Sequence, residues 1–275
     1  MKNKIAVHTN SYHGFSLDEA LEGIAAAGFK YVELTAVRGW TEHVMPEMGE
    51  SGLSAVRGRL QELGLEAVGL SGHCNLMDAG RLQDFEKNIR LASYFGCGYI
   101  ITSTGEAHFG KDETFTDDLL AQNIQKVVPV LKETNITMVL EVHGEYGTGE
   151  SLYRVVKAVN SPYVGVNYDT ANVVFYGRRL PEEEIKNCYE GVKYVHLKDK
   201  AGPMDLWDFP ALGAGSLKLE EFMRFMDTKG YNGIYSIEIE YTQDFTMRDK
   251  APGDLAVANE AVKKSFQYLK SIGRI

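Results

Sequence analysis

The sequence predicts one α/β domain, a single (β/α)8 TIM barrel spanning residues 1–275. Three observations carry this expectation. Strand-like and helix-like segments alternate from end to end, eight such pairs can be traced, and the strands recur at intervals of roughly thirty residues, the size of a βα unit. A length of 275 residues would fit two domains, but no Pro- or Gly-rich linker divides the chain, and a barrel of this size counts as one. A doubly wound open sheet alternates in the same way. It is the weaker choice because the turn after the first strand reads His-Thr-Asn-Ser-Tyr-His, with no Gly-rich phosphate turn.

The first strand is expected at 4–7, and Ser16-Leu17-Asp18-Glu19 is a capping box that opens a helix closed by Gly28. A strand at 31–34 precedes an amphipathic helix at 51–64 that ends in Gly. The next pairs are a strand at 66–70 with a helix at 82–95, and a strand at 98–102 with a helix at 115–133 containing Pro129. Strands at 136–142 and 163–168 are followed by helices at 151–160 and 180–189, the latter with Pro181 near its start. The last pairs are 192–197 with 217–228 and 233–239 with 255–272. Several strands are near-continuous apolar runs, as parallel strands covered on the outside should be.

Composition removes other classes. With 44% apolar and 24% charged residues the chain is ordinary globular protein, not a disordered one. No apolar run reaches the roughly 18 residues of a membrane span. His8 and Asn10 interrupt the apolar start, which makes a poor signal peptide and a good first strand. A net charge of −9 argues against a nucleic-acid partner, which needs a basic face. Cys74, Cys97 and Cys188 are few, odd in number and without metal spacing, so a reducing, cytoplasmic compartment is expected.

Catalytic groups of such barrels stand at the C-terminal ends of different strands. Four consecutive strands offer charged or imidazole groups there. The fifth, ITMVLEVHGE, places Glu141 and His143 on one side. The sixth, VGVNYDTAN, ends on Asp169 with Asn172 beyond. The seventh, VKYVHLKDK, carries His196 and Lys198 on one side with Asp199 next. The eighth, GIYSIEIEY, carries Glu238 and Glu240. Single residues of this kind are commonly caps or core groups, but in a closed barrel the four strand ends converge. Three carboxylates and an imidazole with nothing cationic would repel, and a divalent cation resolves the conflict. The expected ligand set is Glu141, Asp169, His196 and Glu238, with oxygen and imidazole donors that suit Mn²⁺, Mg²⁺, Co²⁺ or Zn²⁺.

On YVELT (with Glu33), LEVHGEYGTG, NYDTANVVFYG, VHLKDK, FPALGAG and YSIEIEY, the chain resembles the xylose isomerase-like barrel superfamily of sugar isomerases, epimerases and lyases. The resemblance implies that those four positions bind one divalent metal, commonly Mn²⁺. It also implies that in epimerase members Glu141 and Glu238 move protons on opposite faces of a sugar, and that in some lyase members His143 is the base. Asn172 departs from the pattern, since many members have a His there. LEVHGE with YDTANV is also similar to the larger subunits of bacterial C-deglycosidases, which eliminate from 3-oxo-glycosides beside a small β-sandwich partner. The family further implies a sugar or glycoside substrate and a homo-oligomer.

Proton abstraction α to a carbonyl needs a base within hydrogen-bond reach and a group that stabilises the enolate. Glu141, His143 and Glu238 are the candidate bases. Lys198 either holds a substrate oxygen or forms a salt bridge with Asp199 or Glu240, and Glu33 bonds either a sugar hydroxyl or the barrel rim. His73, Asn172, Trp40 and Trp207 are further candidate substrate contacts, the indoles as apolar walls. His8, His13, His43, Asn75, Glu106 and His108 lie in loops of the same face without further support, as do Arg178 and Arg179 for a phosphate. An endonuclease-like phosphodiesterase is disfavoured by Asn172 and by the lack of a second His after His196. A non-catalytic sugar-binding barrel is the remaining alternative.

Overall fold

The computed structural model describes residues 3–105 and 116–275. Eight strands form the barrel: β1 (Ile5–His8), β2 (Tyr31–Val37), β3 (Glu66–Ser71), β4 (Tyr99–Thr102), β5 (Thr137–Glu141), β6 (Val164–Asp169), β7 (Val192–Leu197) and β8 (Ile234–Ile237). Each pairs in parallel with the next, and β8 pairs with β1, which closes the ring. Outside it run α1 (Leu17–Ala27), α2 (Gly49–Glu62), α3 (Leu82–Tyr94), α4 (Asp117–Thr134), α5 (Gly149–Val159), the short α6 (Asn172–Phe175) and α7 (Pro181–Glu184), α8 (Leu219–Thr228), α9 (Gln243–Met247) and α10 (Asp254–Ser271). Among the described residues no helix is long and apolar enough to cross a membrane.

Local chemistry sets the boundaries. Ser16 accepts the Glu19 N–H, the Glu19 carboxylate accepts the Ser16 N–H at 2.8 Å, and Gly28 leaves the helix at φ 102°. Pro129 sits inside α4 without ending it. The helix expected at 180–189 is a correction: Pro181 opens only four residues, and 3-10 turns at Ile185–Asn187 and Tyr189–Gly191 follow. The Glu184 carboxylate turns away to accept the Glu150 N–H at the start of α5, so it caps a neighbour instead of prolonging its own helix.

Two cores hold the barrel. The large one lies between strands and helices, and Ile237 and Ile239 belong to it, leaving Glu238 to face inward. The small one fills the lower barrel with Ala6, Val68, Ile101, Val139, Tyr194 and Ile234. Tyr194 reaches across this interior to Glu33, and a Cβ at residue 69 would stand 2.8 Å from its hydroxyl, so β3 carries Gly69 there. Parallel register slips by one residue beside Glu33 and beside Asn167, irregularities of the kind that re-aim side chains near a site.

The ALGAG segment, glycine-rich and flexible-looking in sequence, is pinned in the structure. Asp199 accepts N–H bonds from Gly213 at 2.9 Å, Gly215 at 3.0 Å, Leu217 at 3.2 Å and Lys200 at 2.8 Å.

Candidate active site

Glu141 ends β5, Asp169 ends β6, His196 is the penultimate residue of β7, and Glu238 follows β8 directly. All four are buried, and their ligand atoms lie within 4.8 Å of one another. His196 is the hub. Its Nδ1 is 3.1 Å from Glu141 Oε1, 3.6 Å from Glu238 Oε2 and 3.9 Å from Asp169 Oδ2. Its Nε2 lies 3.1 Å from both oxygens of Glu33, which also accepts the Tyr194 hydroxyl at 3.0 Å. The Glu33 carboxylate is therefore placed to accept a hydrogen bond from Nε2–H, which leaves Nδ1 toward the carboxylates, as a partner behind a metal-ligating histidine does.

Each glutamate divides its oxygens. Glu141 gives Oε1 to His196, while Oε2 is 3.0 Å from His73 Nε2. Glu238 directs Oε2 to the cluster and to Lys198 Nζ at 3.2 Å, while its Oε1 accepts from Asn10 Nδ2 at 3.0 Å and is 2.9 Å from His8 Nδ1. Asp169 uses Oδ1 as a cap for the Ala171 and Asn172 N–H groups at 2.8 and 2.7 Å. Its buried Oδ2, aimed at the cluster, has no hydrogen-bond partner among the described residues. An orphaned buried carboxylate oxygen facing three further O/N donors fits a divalent cation.

The expectation that nothing cationic stands among these carboxylates needs correction. Lys198 is 1% exposed, bonded to Glu240 and Glu238, 3.4 Å from Asn172 Oδ1, and 4.4 Å from the centre of the Phe209 ring. Of the two partners expected for it, Glu240 forms the salt bridge and Asp199 does not, and Glu238 at 3.2 Å is a further partner. One lysine does not balance the cluster. Burial pushes the Asp169 carboxyl up to about 7, with Glu238 and Glu141 adding repulsion against the opposing pull of Lys198. Burial also opposes the charge on Glu141 and Glu238, yet both are held well below the usual carboxylate range, Glu141 by His196 and His73, Glu238 by Lys198 and His8. Such divergent carboxylates at one site are a common sign of function.

A pocket opens on this cluster. Glu141, His143, Asn172, Lys198, Glu238, His73 and Trp40 of the expected set line it; Glu33 does not, lying beneath His196 with no exposure. Trp207 is not on its wall either; it packs edge-on to Phe175 and Phe209. His143 stacks obliquely on Tyr176, whose hydroxyl is 3.1 Å from Nε2. Asn75 bonds the Met77 N–H, and Arg178 and Arg179 are exposed away from the pocket. Glu106 and His108 lie outside the described residues. Sequence reasoning missed Asn10 altogether and left His8 unsupported. Both stand at the end of β1 or in the following turn, where only the position of that strand in the ring reveals them. A broader apolar groove beside Phe245 and Val257, and a cavity beside Tyr235 at the opposite end, gather no comparable cluster.

The family model described as xylose isomerase-like TIM barrel matches residues 21–272. No curated protein matches the chain in sequence. Among solved structures it is similar to a D-psicose 3-epimerase determined in the presence of D-fructose (TM-score 0.77, 15% identity, 99% of each chain covered). It is also similar to a xylose isomerase domain protein from Planctomyces limnophilus (TM-score 0.74, 19% identity, 98% of this chain and 96% of that one). A third is a xylose isomerase-like TIM barrel protein from Mycobacterium smegmatis in complex with magnesium (TM-score 0.73, 17% identity, 98% and 97%). At these identities the likeness establishes the fold.

Proposed function

The chain belongs to the xylose isomerase-like TIM barrel family, and from that premise we propose that it is a divalent-metal-dependent sugar isomerase or epimerase that abstracts a proton α to a carbonyl. The observation that carries this reading is the meeting of Glu141, Asp169, His196 and Glu238, with each glutamate keeping one oxygen on the cluster and one turned away from it. A divalent cation held by these four, Mn²⁺ first and Mg²⁺, Co²⁺ or Zn²⁺ as alternatives, supplies Lewis-acid polarisation of the sugar carbonyl.

The protein's own groups handle the proton. Glu141 and Glu238 come from strands three apart around the ring, so they approach a bound sugar from different sides. One takes the proton as a general base, and the other returns a proton to the opposite face, which inverts the carbon. His73 orients Glu141, and the Trp40 ring forms an apolar wall that excludes water. The similar epimerase determined with D-fructose supports a small sugar as substrate. A homo-oligomer belongs to this reading.

His143 favours one second reading. It lines the same pocket with the Tyr176 hydroxyl at Nε2, an arrangement suited to elimination from a 3-oxo-glycoside, as in a C-deglycosidase subunit with a β-sandwich partner. A screen of free sugars, sugar phosphates and 3-oxo-glycosides for C–H to C–D exchange in D₂O separates the two. Exchange that survives His143→Ala and is lost in Glu238→Gln supports the isomerase or epimerase. Loss in His143→Ala with an elimination product in the wild type supports the lyase. No exchange with any substrate by metal-loaded protein overturns both.

A further inference from the structure

Asn10 lies in a single 3-10 turn, Thr9–Tyr12, directly after β1, and is 6% exposed. Its Oδ1 accepts two hydrogen bonds, from Trp40 Nε1 at 3.1 Å and from the Thr41 hydroxyl at 2.8 Å. An indole N–H can only donate, so the amide has one admissible orientation. Its Nδ2 must then face Glu238, and does so at 3.0 Å from Oε1. Thr41 is fixed in turn by His13, whose Nδ1 is 2.7 Å from its hydroxyl and whose ring stacks on Trp40 at 4.1 Å.

We propose that Asn10 is a positioning residue that aims Glu238 for proton transfer at one face of the sugar, and that Trp40 and Thr41 lock its amide in the aiming orientation. The inference rests on the reading of Glu238 as a proton-transfer group. It deepens that reading because the two glutamates are aimed by different elements: Glu141 Oε2 meets His73 after β3, whereas Glu238 Oε1 meets Asn10 and His8 at β1. A change at Asn10 reaches one glutamate and leaves the other in place. The same indole that walls the pocket holds the amide, so a sugar packed on Trp40 presses on the group that directs Glu238.

The test follows α-proton washout into D₂O from both members of a reactive epimer pair. In Asn10→Leu, washout from the epimer whose proton faces Glu238 should fall about 10- to 100-fold, the usual cost of misplacing a reacting group, with the other epimer within about threefold and KM unchanged. Trp40→Phe keeps the ring, loses the N–H, and should slow the same epimer by less. Equal slowing of both epimers, or of neither, overturns the proposal. A second readout needs no turnover. With selectively ¹⁵N-labelled asparagine, the Asn10 side-chain amide, identified by its disappearance in Asn10→Leu, should shift in both Glu238→Gln and Trp40→Phe. A resonance unmoved in either overturns the lock. A wild type that exchanges no sugar refutes the functional reading, while the amide resonance still decides the lock. If Asn10→Leu does not fold, Thr41→Val removes the other donor and must slow the same single epimer.

Discussion

Glu33→Gln should weaken the proposed metal site without touching a proposed ligand. The Glu33 carboxylate is fully buried, lies 3.1 Å from His196 Nε2 through both oxygens, and accepts the Tyr194 hydroxyl at 3.0 Å. Those contacts hold the His196 ring with its Nδ1 toward Glu141, Glu238 and Asp169, where it is placed to bind a metal ion. Glutamine keeps the shape but loses the charge, and it puts a donor NH₂ in place of one of the two acceptor oxygens that face His196 Nε2. Removing such a partner behind a metal ligand commonly costs 10- to 100-fold in metal affinity, about 1.4–2.7 kcal/mol. A chelator-competition titration with Mn²⁺ measures this, with His196→Gln as the reference for a lost ligand and circular dichroism as the check on folding. A folded Glu33→Gln protein that binds Mn²⁺ within about threefold of the wild type would refute the reasoning.

Three further outcomes follow from the same contacts. Burial pushes the His43 imidazole down to about 4 against the bond to the Phe15 carbonyl, so the unfolded chain takes up a proton first as pH falls; the stability from neutral His43 is complete above about 6.5 and is lost toward pH 4. Urea unfolding should lose about 3 kcal/mol more between those pH values in the wild type than in His43→Gln, and parallel profiles would contradict this. Asp199→Ala strips four N–H groups of their acceptor, and should cost about 2–4 kcal/mol and expose the 213–217 loop to proteolysis; unchanged stability and cleavage would count against the pinning role. Gly69→Ala would set a methyl 2.8 Å from the Tyr194 hydroxyl, and thermal unfolding should register a loss of about 1–3 kcal/mol, whereas a neutral substitution would show that Tyr194 yields freely.

The barrel was legible because the period of its βα units and the apolar strands repeat in the sequence. The convergence of the four proposed ligands was legible for a related reason. Glu141, Asp169, His196 and Glu238 each break an apolar strand at the same end, and only ring closure makes four such breaks meaningful together. What escaped depends on three-dimensional partners. Glu33 reads like a rim residue, but it lies under His196 because Tyr194 and the register slip turn it inward. His8 ends the four-residue β1 and Asn10 lies in the turn after it, without periodicity, and both join the site only because β1 closes against β8. Trp207 follows a site strand but packs with Phe175 and Phe209, since the antiparallel pair Asp208–Phe209 and Tyr241–Thr242 holds that loop aside. The loop carrying ALGAG reads as flexible by composition, but Asp199, together with the Ser265 hydroxyl and the Lys200 carbonyl, ties it down.

Elemental analysis of protein purified without chelator, followed by the same measurement and a sugar-exchange assay after EDTA, tests whether Glu141, Asp169, His196 and Glu238 hold one catalytic divalent ion. About one divalent ion per chain is expected, lost together with exchange on chelation and regained with added Mn²⁺. Protein that carries no ion, binds none when it is supplied, and exchanges sugar protons fully in EDTA would contradict this expectation.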